Sequence, residues 1–168
     1  MRLWTPKGFV ADRYVRAESF DAAPSGAAAL VPLALWRAER AALEAKCAAI
    51  AVEVAAAKDA PAALAEVIDR PMIALAYAKF ADGRAFSYAR LLRARLGYKG
   101  EIRAVGDVLW DEIGFMIRCG FDAFAIDNAP TLRALEAGKT PVLPLAYQPG
   151  LAQETPAGKR PWTRALAL

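Results

Sequence analysis

Charged and small polar residues follow three apolar runs of this chain, and they are the residues with the most chemistry to offer a ligand. They are Asp82, Gly83 and Arg84 with Ser87 and Arg90; Arg103, Gly106 and Asp107 with Asp111; and Asp127 with Asn128. Arginine forms forked hydrogen bonds to oxyanions and carboxylates, while aspartate either fixes such an arginine or transfers a proton. The pattern therefore indicates recognition of an anion or of an acidic partner.

Each group follows a run that predicts a β-strand, at residues 72–80, 102–105 and 121–126. Ligands of parallel α/β folds bind beyond the carboxyl ends of the strands, so the groups are expected to share one strand-end rim. Ser87 and Asp107 are predicted to cap helices at 87–96 and 107–119, where free N–H groups attract anions. The structural alternative is that each residue only caps its helix, which is worth about 1 kcal/mol.

Positive charge is concentrated in residues 79–103, within a chain of net charge +4. That stretch contains Lys79, Arg84, Arg90, Arg93, Arg95, Lys99 and Arg103, against only Asp82 and Glu101. A solvated helix face, an anion site and an acidic protein partner all fit this pattern. Nucleic acid is the least favoured partner because no binding motif accompanies the charge. Asp82, Asp107 and Asp111 would alternatively hold Arg84 and Arg103 through salt bridges.

Several common catalytic devices are excluded by composition. The 168 residues contain no His and only two Cys, so a Ser-His-Asp triad and a four-thiolate iron–sulfur site cannot form within the chain. Neither G-x-G-x-x-G nor a phosphate-binding G-x-x-x-x-G-K-[ST] motif is present, and no bound cofactor or metal is predicted. Cys47 and Cys119 are expected to be buried free thiols. The residues alone favour a binding or accessory module.

Alternating strand and helix patterns predict an α/β fold with a mostly parallel sheet. Strands are predicted at 29–36, 50–54, 72–80, 102–105, 121–126 and 142–146, and helices at 38–48, 61–68, 87–96, 107–119 and 130–137. We expect an open three-layer sandwich, Rossmann-like or flavodoxin-like, with helices on both faces of the sheet. A partial (βα) barrel is the alternative, since its strand–turn–helix spacing is the same.

One domain is predicted, at residues 28–147, between an N-terminal arm (1–27) and an irregular C-terminal tail (148–168). The arm is expected to pack on the domain. No apolar run approaches the roughly 20 residues that a membrane-spanning helix needs, and residues 1–8 lack the apolar segment of a secretory signal. A cytoplasmic location without membrane association is the resulting expectation, and a homo-oligomer is left open.

Residues 80–93 (FADGRAFSYARLLR), 97–109 (GYKGEIRAVGDVL) and 118–124 (RCGFDAF) together resemble the signature of bacterial domain-of-unknown-function family 934. The similarity is specific over residues 80–124 and looser from residue 30 onward. Members of that family carry the label of probable oxidoreductases in sulfite reduction. The resemblance thus implies sulfate assimilation as the pathway, and it supplies no catalytic residues to transfer.

Two hypotheses follow from combining the resemblance with the residues. In the first, the chain is an accessory protein that binds sulfite reductase, another enzyme of the pathway or a small sulfur oxyanion through the basic strand-end rim. In the second, it is an enzyme acting on a small sulfur-containing anion. Arg84 and Arg103 would then bind the substrate, and Asp82 or Asp107 would move protons.

Overall fold

A computed structural model of the protein describes residues 1–77, 83–139 and 141. Eight strands are present in these residues: β1 Arg2–Thr5, β2 Gly8–Val10, β3 Tyr14–Arg16, β4 Ala28–Pro32, β5 Ala49–Ala55, β6 Met72–Tyr77, β7 Glu101–Gly106 and β8 Ala123–Ile126. The α-helices are α1 Leu33–Lys46, α2 Ala60–Glu66, α3 Arg84–Arg90, α4 Trp110–Cys119 and α5 Ala129–Glu136. A π-helical segment, Leu91–Arg95, continues α3.

The strands form one sheet in the order β2-β1-β8-β7-β6-β5-β4-β3. Strands β3 to β8 are parallel neighbours in chain order, and the β1–β2 hairpin is added antiparallel to β8. Because right-handed crossovers that always advance in one direction place their helices on one face, this order builds a curled half-barrel. The α/β class and the mostly parallel sheet are confirmed. The three-layer sandwich is not, and the strand order matches the partial-barrel alternative.

The two faces of the sheet have different packing. On the outer face, alternate strand residues such as Ile73, Ile102 and Phe124 belong to one core cluster with helix residues such as Leu64 and Ile113. Each fully buried side chain of this kind contributes roughly 1.5–3 kcal/mol. On the inner face, a second cluster contains strand residues only, several of them alanine: Tyr14, Leu30, Ala51, Met72, Ala74, Val105 and Ala125. Small side chains allow the sheet to curl around this face.

A contact between two distant strands measures the curl. The Arg103 guanidinium of β7 lies 5.5 Å from the ring centre of Tyr14 on β3. Three strands separate β7 from β3, so the two residues would be about 19 Å apart in a flat sheet with its usual strand spacing of about 4.8 Å. The sheet must therefore bend strongly to bring β3 back toward β7.

The structure of the N-terminal residues differs from the predicted one. Residues 1–27, predicted as an arm, contribute β1, β2 and β3 to the sheet. The strand predicted at 29–36 ends at Pro32, which is the N-cap of α1, and Trp36 is a buried helix residue. Proline has no N–H for the sheet but fits just before a helix, which explains the early transition. The segments predicted at 142–146 and 148–168 lie outside the described residues.

Among the described residues, no helix combines the length and the apolar character needed to cross a membrane.

Candidate functional site

The strand-end rim is described at the ends of β7 and β8 and only in part at the end of β6. Asp82 and Lys79 lie outside the described residues. Gly83 is the N-cap residue of α3, and Arg84 is the first residue of the helix and is exposed. Gly106 is the last residue of β7 and Asp107 follows it, so both lie at the end of the strand, as predicted.

Gly106 is required at its position by a close backbone approach. Its φ is +95°, and a Cβ atom there would lie 2.3 Å from the carbonyl oxygen of Tyr77. The next residue, Asp107, donates its N–H to the same oxygen at 3.3 Å. The β6 and β7 ends are thereby held together, and Gly106 has a structural role at the rim.

Neither Ser87 nor Asp107 is a helix cap, so both capping predictions are wrong. The apolar stripe of α3 begins at Ala85 and continues through Ala89 and Leu92, all fully buried, so the helix starts at Arg84 and Ser87 lies inside it. Asp107 belongs to a connection that reaches to Leu109, the N-cap of α4. Both side chains are exposed.

Arg103 is not on the rim. It lies within β7 on the inner face, with 1% of its surface exposed. Its guanidinium donates to Asp12 Oδ2 at 2.8 Å and to Glu101 Oε1 at 2.9 Å, and it lies over the Tyr14 ring. Among the described residues its ion-pair partners are therefore Asp12 and Glu101, and not the predicted Asp107 or Asp111. Arg103 therefore holds the curled sheet together.

Arg93 has a comparable structural role on the outer side of the sheet. It donates to the carbonyl oxygens of Tyr98, Gly100 and Gly120 at 2.9, 2.8 and 3.1 Å, and it pairs with Asp122. All five residues lie in the segments that carry the family resemblance. Several residues of that signature thus serve to connect the end of the α3 helical segment to the loops before β7 and β8.

An open groove between α2 and α3 contains two of the predicted binding residues. It has a volume of about 560 Å³ and is lined by Pro61, Ser87, Tyr88, Arg90, Leu91, Ala94 and Arg95. The Tyr88 hydroxyl donates to the carbonyl oxygen of Ala57 at 2.6 Å, which fixes one wall. We call this set of residues the α2–α3 groove. Arg95 belongs to the basic stretch of residues 79–103 but is not one of the predicted binding residues.

The cations of the α2–α3 groove differ from most other arginines of the protein. Arg90 and Arg95 are exposed, and within the described residues neither forms a salt bridge. Arg37, by contrast, is equally exposed yet donates two hydrogen bonds to Glu66, at 2.9 and 2.8 Å. The groove therefore presents positive charge that pairs with no carboxylate among the described residues.

A second groove, of about 420 Å³, lies between the N-terminal ends of α4 and α5. The predicted rim residue Asn128 lines it, and its side chain caps α5 by accepting from Thr131 N at 2.9 Å. Thr131 Oγ1 in turn accepts a hydrogen bond from the backbone N–H of Trp110 at 3.1 Å. The polar groups at this groove are used to position the two helices.

Three other described titratable groups have pKa values above their ordinary range. Cys47 and Cys119 are buried free thiols, as predicted, and burial raises the pKa of both. Burial is also the main cause of a raised pKa at Glu112, followed by repulsion from Asp111 and Asp107. Within residues 1–77 and 83–139, no three acidic or cysteine side chains are placed to hold a metal ion.

Fold and surface together define an α/β half-barrel protein with an exposed basic groove on its helical side. The chain belongs to a bacterial protein family of unknown function, DUF934, whose model matches residues 51–158. The family predicted from the signature segments is thus confirmed. Neither a curated protein nor a solved structure shows significant similarity to the chain.

Proposed function

We propose that this protein is a non-catalytic accessory protein of assimilatory sulfate and sulfite reduction, which binds sulfite reductase through the α2–α3 groove. The resemblance of residues 80–124 suggests the pathway. The charge of Arg90 and Arg95 suggests the kind of contact, because both lack a carboxylate within the described chain. The binding surface is therefore the outer side of α3, rather than the loop rim that the sequence predicted.

The lining of the groove supports a protein partner. Leu91, Ala94 and Pro61 provide an apolar floor beside Arg90 and Arg95. An acidic segment with one apolar side chain fits both features, and charge complementarity of this kind raises the association rate and suppresses wrong partners. The single observation that carries the proposal is this pair of exposed arginines over an open groove.

The placement of the arginines weighs against one small-substrate site made of all the predicted residues. Arg103 lies on the inner face with its guanidinium bound to Asp12 and Glu101, whereas α3 lies on the outer, helical face. A small anion cannot contact residues on both faces of one sheet. The accessory role needs only the α3 side.

Binding of purified sulfite reductase tests the proposal. We expect Arg90→Glu with Arg95→Glu to weaken the complex at low salt by at least about tenfold, which corresponds to about 1.4 kcal/mol. High salt should weaken the wild-type complex as well. The matched control is Arg133→Glu, an exposed arginine of α5 outside the groove. Absence of wild-type binding, or equal binding by the double variant, would refute the proposal.

A small sulfur oxyanion is the second candidate ligand, and the enzymatic alternative depends on it. Ser87 lines the same groove as Arg90 and Arg95, so a hydroxyl donor accompanies two cations. Titration calorimetry with sulfite and with sulfate tests this candidate. Binding that is lost in Ser87→Ala and Arg90→Ala would favour it; no heat of binding with either anion would exclude it.

A further inference from the structure

An exposed aromatic side chain lies at the centre of the surface formed by α3 and α4. Phe115 is 51% exposed. Its ring packs against the ring of Phe86, with 5.0 Å between the ring centres. Phe86 continues inward to Tyr77, so the exposed ring is held from below by the core. A rigid, half-exposed aromatic side chain of this kind is typical of an interface anchor.

A positive charge lies beside the C-terminal end of α4. Arg90 of α3 is exposed, and it is close enough to Cys119 to oppose the effect of burial on the pKa of that thiol. The geometry agrees, because Arg90 follows Phe86 by four residues in α3 and therefore lies about one helical turn beyond the Phe86–Phe115 contact. No described carboxylate forms a salt bridge with it.

Negative charge lies at the opposite end of the same helix. Asp111 is in the first turn of α4 and Asp107 precedes it, and both are exposed. They are close enough to Glu112 to contribute to its raised pKa, after the larger effect of burial. No described cation forms a salt bridge with Asp111.

The negative charge of Asp111 and the positive charge of Arg90, which lies near Cys119, are at similar distances from the Phe115 ring along α4. Asp111 precedes Phe115 by four residues and Cys119 follows it by four, so each lies about 6 Å away along the helix axis at 1.5 Å per residue. A two-fold axis through Phe115 exchanges these two levels. The surface is therefore complementary to itself.

We propose that this surface is the interface of a symmetric dimer. In it, α4 packs antiparallel against α4 of a second copy, Phe115 packs on Phe115, and Arg90 of each copy pairs with Asp111 of the other. An interface of this type uses the same patch twice and closes on itself, so no larger assembly follows from it. Antiparallel helices also place opposite ends of their dipoles together. The inference does not rest on the proposed function, but the two share Arg90; Phe115 and Asp111 lie outside the α2–α3 groove, so variants of these two residues test the dimer alone.

A charge-swap experiment tests the dimer in sedimentation equilibrium. The wild type is expected to dimerise, and Phe115→Ser to be monomeric. Arg90→Asp and Asp111→Arg should each weaken self-association by at least about tenfold, since each places like charges opposite one another. Mixing the two single variants should restore a dimer, because every cross-pair is then of opposite sign. The double variant Arg90→Asp with Asp111→Arg should dimerise as well.

Controls separate this interface from other causes. Arg133→Asp changes the net charge by the same amount on α5 and should leave the dimer intact. Circular dichroism should show unchanged folding in all variants, because the mutated side chains are exposed. A monomeric wild type at the highest soluble concentration, or a dimer that survives Phe115→Ser, would overturn the proposal. So would failure of the mixed variants to associate.

Discussion

Arg103 and Arg90 come from the same basic stretch of sequence but have opposite environments. Arg103 is 1% exposed on the inner face of the half-barrel, where two carboxylates and an aromatic ring surround its guanidinium. Arg90 is exposed on α3, without a described carboxylate partner. The difference shows that charge density along a chain does not distinguish cations that hold a fold together from cations that are available to a ligand. The partners of each guanidinium make that distinction.

The largest expected effect is on stability, at the inner face. Arg103→Met removes the donor of the Asp12 and Glu101 carboxylates, which remain partly exposed to water, and we expect the free energy of unfolding to fall by about 2–3 kcal/mol. Arg90→Met should change it by less than about 0.5 kcal/mol. Urea denaturation of both variants measures the contrast. Similar losses in the two variants would remove the distinction drawn between these arginines.

A combined variant shows whether the cost comes from stranded carboxylates. Arg103→Met together with Asp12→Asn and Glu101→Gln should recover part of the lost stability, because two unpaired carboxylates beside an apolar side chain are less favourable than two neutral amides. No recovery would indicate that the guanidinium stabilises the curl mainly by packing against Tyr14.

The second effect concerns the junction between β6 and β7. Gly106→Ala places a Cβ atom 2.3 Å from the Tyr77 carbonyl oxygen at a φ of +95°, and it should lower the free energy of unfolding by about 1–3 kcal/mol. Gly138→Ala is the matched control, since Gly138 also has a positive φ, +72°, but has open space around its Cβ position. Thermal or urea unfolding compares them. An equal loss in both would assign the effect to φ alone.

The regular part of the fold could be predicted because its signals are local. Gly97 and Gly120 follow helical segments and have left-handed φ values of +66° and +109°, as glycines that end helices commonly do. The α5 helix was placed within one residue of its observed bounds. Apolar periodicity and helix-ending glycines are contained in a few neighbouring residues, so sequence alone reveals them.

The contacts that define the site could not be predicted because they join distant residues. Asp12 is 91 positions from Arg103, in the connection between β2 and β3, two strands that are too short to give a clear pattern. Strand order decides which face holds Arg103, and strand–helix spacing is the same for a sandwich and a half-barrel. The start of α3 was predicted one turn too late. Ser87 is a typical N-cap residue type, whereas Ala85 is too small to give a clear core signal.

A smaller effect, on pH dependence, is expected at Glu112. Its pKa is raised above 4.5 by burial first and then by Asp111 and Asp107, so the folded protein holds this proton more tightly than the unfolded chain. Its contribution to stability is therefore greatest below 4.5 and is lost as pH rises through the raised pKa. Glu112→Gln should flatten this decline and stabilise the protein at neutral pH by less than about 1 kcal/mol. The free energy of unfolding, measured from about pH 3 to about pH 8, checks the sign of this pH dependence. A steeper decline in the variant would contradict it.

The smallest effect separates paired from unpaired cations on the helical surface itself. Arg37 donates two hydrogen bonds to Glu66, so Arg37→Met should lower the free energy of unfolding slightly. Arg95→Met removes a cation that has no described carboxylate and lies in the same groove as Arg90, so it should raise stability by a few tenths of a kcal/mol at low salt. High salt should abolish both changes, because exposed charges are screened. Opposite signs at low salt would identify Arg95 as a charge that the fold does not use. If both substitutions destabilise equally, Arg95 has a partner within the chain and its charge is not available for binding.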